Sequence, residues 1–254
     1  MVLPLYDDNS DRTIFPLVNY AIIALNILVF VFLQGLGTND QFTNSFSTVP
    51  AEILQGHDIV TPARVVHYMG QRVLIPGLGP TPGSVYMTLF TSMFMHGGFA
   101  HIAGNMLFLW IFGDNIEDRL GHVKYLIFYL LCGVIAGLSH VFATGVFATS
   151  ENALLVPSLG ASGAISGVLG AYILLHPKRR IMVLNFWFIT TMPAFLVIGI
   201  WFAFQLINGL GMLGAGSQQG GVAYAAHIGG FLAGLILIKF FDTGKRQTAY
   251  INYR

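Results

Sequence analysis

An all-α bundle of six membrane-spanning helices, with both termini on the cytoplasmic side, is the fold class this sequence predicts. Three observations carry it. The chain is 55% hydrophobic and 9% charged, with a mean hydropathy of +0.70, whereas a soluble domain carries about 25% charged residues. Apolar runs recur along the whole length, most of them close to the roughly 20 residues that cross the hydrocarbon layer. Lys and Arg fall unevenly between the loops, and cytoplasmic loops retain an excess of them.

The runs place helices near Phe15 to Gln34, Phe99 to Ile116, Val123 to Phe142, Ser162 to Leu175, Pro193 to Leu210 and Val222 to Phe241. The fourth is short for a full span and starts deep, which asks for a protein-lined or wet cavity at its N-terminus. Arg12, Arg119, Lys124, Lys178, Arg179, Arg180, Lys239, Lys245, Arg246 and Arg254 fall on one side of this arrangement, against Arg64 and Arg72 on the other. Residues 1–14 and 242–254 are then cytoplasmic, and 35–85 form a large outside loop, too long for a simple connector. That loop, with prolines at 50, 62, 76, 80 and 82, is expected to hold short interfacial elements. The last outside loop, Leu210 to Gly221, is expected to be mobile, because its glycines remove most restrictions on backbone angles.

Composition excludes several functions. Cys132 is the single cysteine, so neither an intrachain disulfide nor a cysteine metal cluster is possible. A net charge of +1 spread over the loops offers no basic face for nucleic acid. The first twelve residues hold Asp7, Asp8 and Asp11 but one basic residue, unlike a secretory signal or a transit peptide. This tilts the location towards a prokaryotic plasma (inner) membrane. No inverted repeat stands out, which disfavours a secondary transporter.

Two polar groups at membrane depth ask for a reason, since an unpaired hydroxyl costs roughly 2 to 7 kcal/mol there. Ser162, at the first turn of the fourth run, would lie among backbone N–H groups without intrahelical partners and at the positive end of the helix dipole. Such a place suits an oxyanion. The alternative is packing, because Gly160, Ala161, Gly163, Ala164, Gly167, Gly170 and Ala171 also make a small-residue face. His227 has its own bland alternative, a hydrogen bond across the bundle. Gly230 and Gly234, four residues apart, would bring its helix against the face carrying Ser162. Imidazole beside hydroxyl would supply the base that a serine nucleophile needs.

His101 and Asn105, also four apart, share a helical face, and both can donate hydrogen bonds. His96 lies off that face and is read as shaping the preceding turn. Zinc is disfavoured, since the spacing is not HExxH and no carboxylate accompanies the histidines. Asp114, Glu117, Asp118 and Asp242 lie near cytoplasmic ends and Glu151 in an outside loop. A two-residue Ser/His arrangement is therefore favoured over a Ser-His-Asp triad.

On three motifs in order, HGGFAHIAGN at 96–105, GASG at 160–163 and AHIGGFLAG at 226–234, the chain resembles the rhomboid family of intramembrane serine proteases. Phe112-Gly113-Asp114-Asn115-Ile116-Glu117-Asp118 and Met192-Pro193-Ala194 followed by Trp201 and Gln205 add support. The resemblance implies a rhomboid-like bundle with residues 86–241 as catalytic core helices. It implies Ser162 as nucleophile and His227 as general base. The Ser162 N–H with His101 and Asn105 would form the oxyanion hole, supported by His96, Gly160, Gly163, Gly230 and Gly234. Trp201, Gln205, Gly214 and Gly216 would belong to a gate and cap. The implied partners are single-span membrane protein substrates and the lipid bilayer, with no metal and no cofactor. Two departures stand out. Ser166 replaces a tyrosine that some members stack on the histidine, and Tyr86-Met87-Thr88 replaces a Trp-Arg pair. The rivals are a non-catalytic binder of transmembrane helices and a small transporter, neither of which needs Ser162.

Overall fold

The computed structural model describes residues 2–68, 71–148, 151–215 and 221–244. Helix α1 (Leu17–Leu28) continues as a π-helical turn to Leu33, and the outside loop holds α2 (Asp40–Ser45) and α3 (Pro50–Gln55). After α4 (Thr88–Thr91) come the long helices α5 (Phe99–Leu120) and α6 (His122–Phe147), then the short α7 (Glu151–Leu154). Helices α8 (Ser162–Leu175), α9 (Ala194–Ala215) and α10 (Gly221–Phe241) complete the chain. The apolar runs of the sequence thus coincide with α1, α5, α6, α8, α9 and α10. By length and composition, two of the described segments suffice to cross a membrane, His122–Phe147 and Tyr224–Phe241. The apolar parts of α1, α8 and α9 are shorter.

The expectation of an all-α chain is corrected. Strand β1 (Val2–Asp7) pairs antiparallel with β4 (Arg180–Asn185), which pairs with β5 (Phe188–Pro193), and β2 (Arg64–Tyr68) pairs with β3 (Gln71–Ile75) in the outside loop. These strands are only five or six residues long and flank apolar helices, so no period-2 pattern separates them from loop by sequence. Pro4 is tolerated because β1 is an edge strand and a register shift falls at that point. The expectation that Leu210 onward forms a glycine loop is also corrected. Helix α9 runs on to Ala215, and residues 216–220 lie outside the described residues.

The centre of the bundle is α8, whose 14 residues are sandwiched against α6 and α10. Close approach is possible because glycines face backbone. A Cβ on Gly234 would lie 1.9 Å from the Gly167 carbonyl oxygen, and one on Gly230 would lie 2.1 Å from that of Gly163. No larger side chain can stand at either place without pushing the helices apart. Buried Cys132 of α6, a free thiol, completes the contact opposite Gly167.

A polar clasp ties the opposite end of the bundle together. The Glu117 carboxylate accepts the Val18 and Asn19 N–H groups at 2.9 and 2.7 Å, satisfying donors at the start of α1. Asp118 accepts the N–H groups of Thr13 and Ile14, each at 2.8 Å, Asp114 pairs with Arg12 at 2.7 Å, and Arg119 forms a two-pronged pair with Asp242. Asn115 and Tyr172 both donate to the carboxylate of Asp7, at 2.7 and 2.6 Å. Strand β1 is thereby joined to α5 and α8.

Asp7 is 1% exposed, and burial, reinforced by the neighbouring Asp114, pushes its carboxyl from 3.8 to about 7, against the opposing pull of the Tyr172 hydroxyl and Arg179. The folded state therefore holds a proton that the unfolded chain releases, so stability is full below pH 3.8 and declines as pH rises towards 7. Thermal unfolding in detergent should show a midpoint that falls between pH 5 and 8 in the wild type and falls less in Asp7→Asn. Parallel profiles for the two proteins would contradict this reading.

Candidate active site

The segment before α8 is held from two directions. The Thr48 and Ser158 backbones exchange N–H to carbonyl bonds of 2.9 and 2.8 Å, and the Gly160 N–H donates to the Ser92 carbonyl at 2.8 Å. The Thr48 hydroxyl donates to the Thr88 carbonyl at 2.9 Å, so the outside loop and the entry to α8 share one anchor. Gly160 has φ of +122°, a conformation that L side chains rarely adopt. This kink turns the chain into α8 with Ser162 as its first residue. The Ser162 N–H precedes the intrahelical ladder.

Ser162 Oγ lies 2.8 Å from His227 Nε2, across the glycine contact between α8 and α10. The other ring nitrogen, Nδ1, lies 2.9 Å from Gln205 Oε1 on α9. An amide oxygen only accepts, so Nδ1 carries the proton and Nε2 is the free acceptor facing the hydroxyl. The tautomer follows from the hydrogen-bond network. Trp201, one turn earlier on α9, lies with its ring 6.0 Å from the imidazole, and Tyr224 lies edge-on at 6.5 Å. Ser166 does not reach the histidine; its hydroxyl donates back to the Ser162 carbonyl at 2.6 Å.

His101 and Asn105 stand on the other side of Gly160. The Gly97 N–H donates to His101 Nδ1 at 3.2 Å, which makes Nε2 the protonated nitrogen. A side chain on Gly160 would meet that Nε2 at 2.8 Å and Asn105 Nδ2 at 3.7 Å. The Asn105 amide nitrogen is buried and has no hydrogen-bond partner among the described residues. Two side-chain donors thus converge on the space beside the residue that leads into Ser162. A cleft lined by Ser92, Gly160, Ser162, Gly163 and His227 opens on the side of α6 and α10, and neither His101 nor Asn105 is part of its wall.

His96 is buried outside this group. Its backbone N–H donates to Gln34 Oε1 and its carbonyl accepts from Gln34 Nε2, both at 2.9 Å, while its ring packs edge-on against His101 at 5.1 Å. These two bonds tie the turn before α5 to Gln34 at the end of the first helical segment. Gly163, Gly230 and Gly234 lie in the α8–α10 contact. Gly214 falls near the end of α9, and Gly216 lies outside the described residues. Among the described residues no three His, Cys, Asp or Glu side chains are grouped to hold a metal.

Sequence reasoning missed the partner of His227. It weighed only carboxylates as a third group, found none in a span and settled on a Ser/His pair; Gln205, named there for the gate, is buried and bonded to the imidazole. A polar amide in the middle of an apolar run was the available signal, since such groups are buried with a partner.

The Rhomboid domain profile matches residues 83–242, which is more than half of the chain. The protein belongs to the rhomboid family and is an integral membrane protein. It is 32% identical to Rhomboid protein 1, mitochondrial, of Saccharomyces cerevisiae over 150 residues, covering 59% of this chain and 40% of that protein. It is 28% identical to Rhomboid protease GluP of Bacillus subtilis over 222 residues, covering 86% and 34%. Against the human Presenilin-associated rhomboid-like protein, mitochondrial, identity is 32% over 178 residues, covering 67% and 42%. The chain spans less than half the length of each of these relatives.

Gly160→Ala introduces a methyl group into the His101 contact at a φ that alanine resists. Its folded state should be less stable by about 1–3 kcal/mol. Gly104→Ala, with open space around it, should be neutral or slightly stabilising in the same thermal scan.

Proposed function

We propose that this protein is an intramembrane serine endopeptidase that cuts peptide bonds in or near the transmembrane segments of single-span membrane proteins. The observation that carries this reading is the Ser162–His227 contact of 2.8 Å with the far side of the imidazole held by Gln205. A serine hydroxyl is a weak nucleophile at neutral pH and needs an adjacent oriented base.

Ser162 Oγ attacks the carbonyl carbon as its proton passes to His227 Nε2. The imidazolium keeps its Nδ1–H on Gln205, a neutral acceptor in the place where the three-residue template has a carboxylate. The oxyanion accepts hydrogen bonds from the Ser162 N–H, His101 Nε2 and Asn105 Nδ2. Stabilising the developing charge is usually the largest catalytic term, and the buried Asn105 amide nitrogen, without a partner among the described residues, supports its part in this role. His227 returns the proton to the leaving amine. Water, activated by the same imidazole, then hydrolyses the acyl-enzyme. Substrate helices that unwind easily should be preferred, because a helical carbonyl is shielded by its own backbone bond.

In the membrane, α1, α5, α6, α8, α9 and α10 form the six spans, with residues 1–14 and 242–254 in the cytoplasm, 35–85 outside and 86–241 as the core. The excess of Lys and Arg in the segments on one side supports this orientation. Helix α9 with Trp201 and Gln205, and the chain through Gly214 and Gly216, serve as gate and cap, so substrate entry displaces groups that touch His227. The proposed location is a prokaryotic plasma (inner) membrane, on the acidic character of the first twelve residues.

A fluorophosphonate probe on purified protein tests the reading without a known substrate. Labelling is expected in the wild type and absent in Ser162→Ala and His227→Ala. Gln205→Ala should slow it by up to about tenfold, the worth of one hydrogen bond. A folded wild type that is inert in lipid would instead favour a non-catalytic binder of transmembrane helices.

A further inference from the structure

The β4–β5 hairpin ends in an aromatic tip that neither the bundle nor the proposed chemistry uses. Phe186, Trp187, Phe188 and Ile189 are 74%, 91%, 76% and 65% exposed. Asn185 pairs with Phe188, so Phe186 and Trp187 form a two-residue turn, and Phe186 has φ of +54°. A tight turn of this kind selects Asn or Gly at positive φ. A bulky aromatic pair there violates local turn chemistry, and such violations mark functional positions.

The sheet does not stand away from the helices. Ile181 and Val183 on one face of β4 are fully buried in the main core with Phe112 and Tyr172. Strand β4 is therefore packed on the C-terminal parts of α5 and α8, while the side chains of the tip stay exposed. At the base of the hairpin, Lys178 and Arg180 are exposed and have no ion-pair partner among the described residues. Arg179, between them, is taken up by Asp11 and by the Asp8 carbonyl. Aromatic side chains gather at the membrane–water boundary, and basic residues beside it meet anionic headgroups.

We propose that the Phe186–Ile189 tip seats in the headgroup–acyl boundary of the leaflet opposite the Ser162 end, with Lys178 and Arg180 on its anionic phosphates. The proposal rests on the membrane orientation given above. Its consequence lies in the connection to the site. Strand β5 ends at Pro193 and α9 begins at Ala194 with no linker, and the Ala194 and Phe195 N–H groups donate to the Arg179 and Pro177 carbonyls at 2.9 and 3.0 Å. A seated hairpin fixes the base of the helix that carries Trp201 and Gln205 against His227. The anchored surface is thus the lipid footing of the gate.

The test is the fluorescence of Trp187, taken as wild type minus Trp187→Phe, in vesicles of phosphatidylcholine and phosphatidylglycerol with brominated acyl chains. A blue-shifted Trp187 signal, lost to the brominated chains and spared by aqueous acrylamide, is expected. Lys178→Glu with Arg180→Glu should restore part of that signal in the anionic vesicles and leave it unchanged in pure phosphatidylcholine. A red-shifted signal quenched by acrylamide alone overturns the proposal, and one shielded from both quenchers assigns the tip to a protein contact and overturns it too. An unaltered signal in the double variant overturns the role of the two basic residues. Serine-probe labelling in the same vesicles separates the outcomes. Labelling with an unseated tip overturns the anchor alone, and a seated tip without labelling counts against the protease reading alone.

Discussion

The approach of α8 to α10 through bare backbone is the contact on which the rest of this structure depends. Gly167 and Gly163 present carbonyl oxygens to Gly234 and Gly230 at distances that leave no room for a β-carbon. In a lipid solvent, helices gain little by hiding apolar side chains from one another, so packing of backbone against backbone has to supply the association. The same contact sets the site. Ser162 lies one residue before Gly163 on α8, and His227 lies three before Gly230 on α10, so the helix spacing that the glycines permit is the spacing that lets Oγ reach Nε2.

The two ends of the bundle are then fixed by different means. At the Ser162 end, the outside loop bonds directly to the chain entering α8 through Thr48, Ser158 and Ser92, and the left-handed Gly160 leaves a space that His101 and Asn105 face. At the other end, ion pairs and side-chain caps between α5, the N-terminal segment and Arg179 carry the load. Three acidic residues near the C-terminus of α5 oppose its dipole. They are offset by the donors at the start of α1, by Arg12 and by Thr13. Asp7 is the most sensitive member, a buried carboxyl held by Tyr172 and Asn115.

The pairing of Ser162 with His227 was legible because membrane depth penalises polar groups, so two of them in separate apolar runs asked for a shared reason, beside the blander readings of helix packing and a bundle hydrogen bond. The shared face of His101 and Asn105 followed from helical spacing, and a role for them only from the family resemblance. Gln205 did not, since its bond to His227 crosses from α9 to α10 and an amide was not the group that a triad template seeks. Of the fold, the long apolar runs were plain. The sheet was not, because β1 pairs with a strand some 180 positions away in the chain, Val2 opposite Asn185. The acidic run Asp114 to Asp118 did hold a usable hint. Acids at a helix C-terminus are unfavourable without partners, and the nearest free donors lie at the start of the next helix in space.

The most direct test of this account is the reactivity of Ser162 in Gly234→Ala. The added methyl would stand 1.9 Å from the Gly167 carbonyl and has to push α10 off α8, whereas Gly199→Ala places its methyl in open space. The account predicts that Gly234→Ala loses serine-probe labelling and unfolds at a lower temperature, while Gly199→Ala labels at the wild-type rate. Wild-type labelling and unfolding in Gly234→Ala would show that the glycine contact does not hold the serine and histidine together.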